Sequence, residues 1–266
     1  MRTKKCFGII SYLPDAETKR SIRIGCLLNL LNFLTEQAMD IPIMIIAQNW
    51  KNFSVTDKYK QIKVYNYEKA LGILQARRIL RQKYLEQNYD YLIMLDDDAH
   101  IVENIDGAFK IYLQNLNVKD GYCILKPWGQ HIKTSYPELP EWYYKYSPAQ
   151  LNLCAVSTKL LKKYDFPDVD PEKLEGFEDL IYSTLLYFKE YSAEIISPNG
   201  LVCTQISDSE LITASTWFDW SDGSKEQTDK KYLCLMRSIS LLRYLLIFDK
   251  FPENISSFVK NITINN

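Results

Sequence analysis

Residues 89–101, YDYLIMLDDDAHI, carry the chain from an unbroken apolar run straight into three adjacent aspartates. A short run without polar alternation is the pattern of a strand covered on both faces, as in a parallel sheet flanked by helices. The end of such a strand is a costly place for carboxylates. Neighbouring acids repel one another, and burying one without a partner is strongly unfavourable. A fold that accepts this sequence must bring a cation, hydrogen-bond donors or water to Asp96, Asp97 and Asp98.

The residues upstream supply such a sheet. CFGIISYL and IPIMIIAQ read as buried strands, and IKVYNY as a short third. AETKRSIRIGCLLNLLNFLTEQA repeats its apolar residues at helical spacing, which predicts Ile24, Leu27, Leu28, Leu31 and Leu34 on one face. In EKALGILQARRILRQKYLEQ the same spacing puts Ile73, Ala76, Leu80 and Tyr84 together. Strands alternating with helices predict a mainly parallel sheet with helices on both sides. Ligands of such sheets bind beyond the carboxyl ends of the strands, where the aspartates stand.

Further along, YCILKPWGQ and QLNLCAVS read as strands, TKLLKKY as a short helix, and GFEDLIYSTLLYFKEY as a helix with acids in its first turn. TSYPELPEWYYKYSP and SDSELITASTWFDWSDGSKEQTD read as loops. Lys230 to about Lys260 reads as a Leu-rich helix or helix pair. The simplest division is a catalytic core over 1–205 and an aromatic loop with a helical extension over 206–266.

Composition removes several function classes. With 266 residues and 47% hydrophobic residues, the chain can build a large core. A formal net charge of −1 supplies no basic field for nucleic acid. Nine glycines against 19 tyrosines leave no Gly-rich phosphate loop, and neither GxGxxG nor GxxxxGK[ST] occurs. Six scattered cysteines without a CxxC pair read as reduced core residues rather than zinc ligands. MRTKKCFGIISYLPD reads as a first strand and not a signal peptide, so the expected location is cytoplasmic.

Strand alternation predicts Asp96 and Asp98 on one face and Asp97 on the other. Two carboxylates on one face can hold a hard divalent cation, Mn²⁺ or Mg²⁺. An Asp-rich turn capping the next segment is the alternative.

A strand–helix series ending in LIMLDDDAHI resembles the nucleotide-sugar-binding half of a GT-A glycosyltransferase with its Asp-x-Asp motif. LGILQARRILRQKYLEQNYDYLIMLDDD is similar to the A-R-N … D-D-D pattern of the family-2-like transferases. The resemblance implies a nucleotide contact for Arg77, a place near the ribose for Asp96 with Asp97 beside it, and a metal ligand in Asp98 supported by Asp96. Ser11 and Tyr12, in IISYLPD, fall where the family's first strand and loop hold the base. Gln48, followed by Asn49, stands where relatives often end the second strand with Asp, and joins the nucleotide-sugar candidates.

The later block, QLNLCAVSTKLLKKYDFPDVDPEKLEGFEDLIYSTLL, is similar to the family's strand, helix, loop and E-D pair opening a helix. EDLIYSTLL also resembles the β-1,3-galactosyltransferase and fringe group. In inverting members the Asp of this pair is the catalytic base, which implies that role for Asp179 and acceptor positioning for Glu178. A carboxylate suits the task, because an acceptor hydroxyl must lose its proton as it attacks. Glu178 and Asp179 also suit a plain helix N-terminus.

Sugars stack their apolar faces on aromatic rings. Trp128 and Trp142, between the two acidic motifs, and Trp217 and Trp220, in STWFDWSD, are the acceptor-binding candidates, with ordinary packing as the alternative. The tail KKYLCLMRSISLLRYLLIFDKF mixes Leu with Lys and Arg. It suits packing on the core, a homodimer face, or peripheral contact with the inner face of a membrane.

The expectation is therefore an α/β chain with a GT-A-type, Rossmann-like sheet. It would transfer a sugar from a nucleotide-diphospho-sugar, expected to be UDP-linked, to a hydroxyl of a saccharide or lipid-linked saccharide, inverting the anomeric carbon. The rivals are a retaining GT-A transferase and a non-catalytic carbohydrate- or partner-binding protein on a degenerate GT-A fold.

Overall fold

A computed structural model describes residues 3–15, 17–50, 59–116, 122–124, 153–166, 182, 193–195, 201–205, 225–248, 253–254, 257–258 and 261. Its centre is four parallel strands: β1 (Lys5–Tyr12), β2 (Ile43–Gln48), β3 (Ile62–Tyr67) and β4 (Tyr91–Asp96). Helix α1 (Glu17–Gln37) connects β1 to β2, and α2 (Ile73–Leu85) connects β3 to β4. The spatial order is β3-β2-β1-β4, so the chain runs outward from β1 and then returns to its other side. That reversal sets the carboxyl ends of β1 and β4 side by side, with Ile10 paired to Asp96. Such switch points are where open α/β sheets accept ligands.

The chain continues through β5 (Ala99–Glu103), α3 (Ala108–Asn115), β6 (Tyr122–Ile124), β7 (Cys154–Ser157), α4 (Thr158–Lys163), β8 (Ala193–Ile195), β9 (Leu201–Gln205) and α5 (Lys225–Phe248). Strand β7 lies antiparallel to β4, β6 antiparallel to β7, and β8 parallel to β6, which extends the sheet to β3-β2-β1-β4-β7-β6-β8. The sheet is mainly parallel, as expected, with β7 as an antiparallel strand within it, and its β3-β2-β1-β4 part forms the switch point. Strands β5 and β9 make a separate antiparallel pair. It starts at Ala99, directly after the aspartates, and no alternating pattern announced it.

Period-two alternation divides the core into two layers. Cys6 and Ile10 of β1, Met44 and Ile46 of β2, and Leu92 and Met94 of β4 pack with Leu74, Ala76, Leu80 and Tyr84 of α2. Phe7 and Ile9, Ile43 and Ile45, and Ile93 and Leu95 pack with Leu27, Leu30, Leu31 and Leu34 of α1 and Phe109 and Tyr112 of α3. Helix α1 therefore buries Leu30 where the spacing predicted Leu28, and α2 buries Leu74 more deeply than Ile73. Each helix is turned by a fraction of a turn to seat its ridge on the sheet.

Gly8 lies on the α2 side of β1. A Cβ there would stand 2.7 Å from Leu92 Cδ1 and 2.8 Å from Leu80 Cδ2, so the missing side chain lets α2 approach the strand closely. On the other side of β4, Ser157 caps α4 by accepting a hydrogen bond from the Leu160 backbone N–H. Helix α5 begins at Lys225, inside the stretch read as loop, and sends Ile239 and Leu241 into the α2-side layer. Packing on the core, one of the three uses foreseen for this tail, is therefore realised.

Candidate functional site

The three aspartates leave β4 in different directions. Asp96, the last strand residue, follows Leu92 and Met94 toward α2 and meets Arg77, whose Nη2 stands 2.6 Å from Asp96 Oδ1. Asp97 follows Tyr91, Ile93 and Leu95 toward α1 and meets Arg23, with Nη1 2.6 Å from Oδ1. Alternation thus separates Asp96 from Asp97 as expected. It does not carry Asp98 back to Asp96. The strand ends at Asp96, the chain turns at Asp97 and Asp98, and Asp98 Oδ2 lies 3.0 Å from the same Arg23 Nη1. The expectation that Asp96 and Asp98 share a face is corrected: a turn has no period of two, and it rotates Asp98 to the Asp97 side.

The remaining groups around Asp97 come from β1. Ser11 lies on the α1 side after Phe7 and Ile9, and its Oγ donates to Asp97 Oδ2 at 2.8 Å. The Tyr12 backbone N–H donates to the same oxygen at 3.2 Å. Asp97, buried at 4% exposure, therefore has both oxygens committed inside the protein. Burial pushes its carboxyl up, and Arg23, Ser11 and the Tyr12 N–H pull against that shift.

Asp98 is held less completely. Its Oδ1 is inaccessible to water and has no hydrogen-bond partner among the described residues. Burial, with Asp97 and Asp96 beside it, pushes the Asp98 carboxyl up to about 7 against the pull of Arg23. An orphaned carboxylate oxygen at a switch point is what a hard cation or a hydroxyl donor would satisfy. Among the described residues, no group of three or more His, Cys, Asp or Glu side chains converges as a ready-made metal cage.

Gln48 ends β2 but looks inward. Its Oε1 accepts from the Leu71 backbone N–H at 2.8 Å, which fixes the segment leading into α2. Asn49 follows in a left-handed conformation, φ 59°, and its Nδ2 donates to the Leu13 carbonyl at 2.8 Å and to Asp15 Oδ1 at 3.0 Å. These bonds shape the loop after β1, beside half-exposed Tyr12. His100 sits on β5 with its side chain exposed.

The structure therefore gathers Ser11, Tyr12, Arg77, Asp96, Asp97 and Asp98 around the ends of β1 and β4. Gln48 serves the backbone nearby. Glu178, Asp179, Trp128, Trp142, Trp217 and Trp220 lie outside the described residues, as does His131.

Sequence reasoning missed Arg23. The available signal was its register: Arg23, Leu27, Leu30, Leu31 and Leu34 form one helical stripe, so an arginine occupies a position of the buried face. Burial works against its charge, and Asp97, Asp98 and Asp96 together keep the guanidinium firmly protonated. A buried arginine needs such acids, and three were in view.

No protein-family model matches the chain, and no curated protein does. Among solved structures it is similar to S. aureus TarS 1-349 in complex with UDP-GlcNAc, with TM-score 0.55 and 16% identity over 90% of this chain and 66% of that one. It is similar to the TarS 1-349 complex with UDP at TM-score 0.51 and 15% identity, over 93% of this chain and 76% of that one. A third TarS structure gives TM-score 0.50 and 15% identity over 80% of this chain and 38% of that one. The chain thus spans well under half the length of this third relative. At these identities the likeness concerns the fold: the chain has the GT-A-type, Rossmann-like arrangement of a mostly parallel sheet flanked by helices.

Proposed function

We propose that the protein is a GT-A glycosyltransferase that takes a sugar from a nucleotide-diphospho-sugar, UDP-linked, and places it on a hydroxyl of a saccharide or lipid-linked saccharide. The observation that carries this reading is Asp98 Oδ1 at the β1/β4 switch point, buried on the Asp97 and Arg23 side with no hydrogen-bond partner among the described residues. The TarS structures solved with UDP-GlcNAc and UDP share that sheet, which supports a uridine nucleotide over other donors.

In this reading Tyr12 borders the base, with buried Ser11 holding Asp97 beneath it, and Asp96 with Arg77 lies toward the ribose and phosphates. Asp98, through its open Oδ1, would be the residue to hold Mn²⁺ or Mg²⁺, a hard ion that carboxylate oxygen suits, while Asp96 stays paired with Arg77. A cation there supplies charge neutralisation to a departing diphosphate. Asp179 takes the proton of the acceptor hydroxyl as its oxygen bonds to the anomeric carbon and the bond to the diphosphate breaks on the opposite side, which inverts the centre. Glu178 positions the acceptor, and Trp128, Trp142, Trp217 and Trp220 offer stacking faces. The resemblance of EDLIYSTLL to the fringe group belongs to this reading as well.

No described helix is long and apolar enough to cross a membrane. Peripheral contact through α5 suits a lipid-linked acceptor: Ile247 and Phe248 at its end are 73% and 55% exposed.

Calorimetric titration of UDP, GDP and CMP, each with Mn²⁺ and with EDTA, tests the proposal. UDP binding that requires the cation is the expected result. UDP binding unchanged by EDTA removes the cation from the mechanism, and no binding of any nucleotide favours a non-catalytic protein on this fold.

A further inference from the structure

Arg23 bridges two carboxylates with one nitrogen. Among the described residues its ion-pair contacts run through Nη1 alone, 2.6 Å from Asp97 Oδ1 and 3.0 Å from Asp98 Oδ2. Its Nε is buried without a hydrogen-bond partner among the described residues. An arginine built for a permanent ion pair places two nitrogens on one carboxylate, the bidentate fork that gains most from its geometry. Here the fork is half used, and the two acids it serves are unequal. Asp97 has two further donors in Ser11 and the Tyr12 N–H, whereas Asp98 has only its own backbone N–H besides Arg23 and leaves Oδ1 without a partner among the described residues.

We infer that Arg23 is a placeholder: a tethered monocation that neutralises Asp97 and Asp98 in the donor-free protein and releases Asp98 to the incoming cation and diphosphate. Asp97 stays on Arg23 and pins α1 to the end of β1. The inference rests on the reading of Asp98 as a metal ligand, and makes Arg23 a positioning residue rather than a catalytic one. Its physical basis is competition. A guanidinium 3.0 Å from Asp98 repels a divalent ion approaching the same carboxylate in a site of low effective dielectric. Removing the guanidinium removes that repulsion and leaves two buried acids in need of a cation.

The test is Mn²⁺ binding without nucleotide, read from the electron paramagnetic resonance signal of free Mn²⁺, for the wild type, Arg23→Gln and Arg23→Gln/Asp98→Asn. Arg23→Gln is expected to bind Mn²⁺ about tenfold more tightly than the wild type, and the double variant to lose that gain. Equal affinity in the wild type and Arg23→Gln overturns the placeholder. A second measurement uses the wild type alone, so a variant that does not fold leaves the question open to test. The Arg23 Nε–H resonance in ¹⁵N-arginine-labelled protein should shift on adding UDP with Mg²⁺. If UDP and Mg²⁺ bind while that resonance stays fixed, the placeholder fails and the cation reading stands. If neither protein binds Mn²⁺, even with UDP present, both fail together.

Discussion

Asp96 and Asp97 are neighbours in the chain, yet they ion-pair on opposite faces of the sheet, Asp96 with Arg77 of α2 and Asp97 with Arg23 of α1, both at 2.6 Å. Each helix thereby contributes one guanidinium to the same strand end. Carboxylate repulsion is relieved by division between two layers.

The Arg77–Asp96 pair is 1% and 18% exposed at the side chains, so breaking one half leaves the other poorly solvated. Arg77→Ala is expected to cost about 3 kcal/mol. Arg77→Met with Asp96→Leu, which removes both charges, should cost less than the single change. Urea denaturation followed by circular dichroism measures the two; a double variant less stable than Arg77→Ala would contradict the pairing.

Asp98→Asn should weaken nucleotide binding in the presence of Mn²⁺ by about tenfold or more, while Asp179→Asn should leave binding intact and abolish transfer. Titration calorimetry together with a radiolabelled-sugar transfer assay separates the two effects. Unchanged turnover in both variants would sink the proposed mechanism.

Gly8→Ala places a methyl within 3 Å of Leu80 and Leu92, and overpacking of this kind costs about 1–3 kcal/mol. Adding Leu80→Val opens space for it, so the paired variant should be less destabilised than the sum of its parts. Thermal melts of the two single variants and the pair provide the comparison.

Burial pushes the Cys6 thiol up to about 12, Cys203 up to about 12 and Cys26 up to about 11. A group whose folded pKa lies above its unfolded value holds more protons when folded as pH rises between the two. Stability is therefore fully present below about pH 9 and declines toward pH 12, Cys6 and Cys203 each adding up to about 1.4 kcal/mol per pH unit and Cys26 less. Unfolding free energies measured across that range should show the decline, and Cys6→Ala should flatten it. A slope that Cys6→Ala leaves unaltered would mean that Cys6 ionises as freely in the folded protein as in the unfolded chain.

Much of the parallel half of the sheet was legible before any coordinates. Unbroken apolar runs marked β1, β2 and β4, and helical spacing marked α1 and α2, because a strand or helix covered by neighbours must show its covering locally. The less regular parts were harder. Strand β5 follows directly on the turn that Asp97 and Asp98 form and carries exposed His100, so its pairing with β9 had no local signature. Helix α5 starts in polar sequence, and its contribution to the core, Ile239 and Leu241, depends on where the sheet ends rather than on its own pattern.

Hydrophobic periodicity alone determined that this chain folds as a layered α/β sheet and that three carboxylates stand at the end of one of its strands. Those are properties of short segments, written in spacings of two and 3.6 residues. Which cation meets which carboxylate was decided only in three dimensions. Arg23 lies 74 positions from Asp97 and Arg77 lies 19 from Asp96, and neither pairing exists until the strand order brings α1 and α2 to opposite faces of β4. The turn that parts Asp98 from Asp96 also belongs to the tertiary structure, because alternation ends where the strand does.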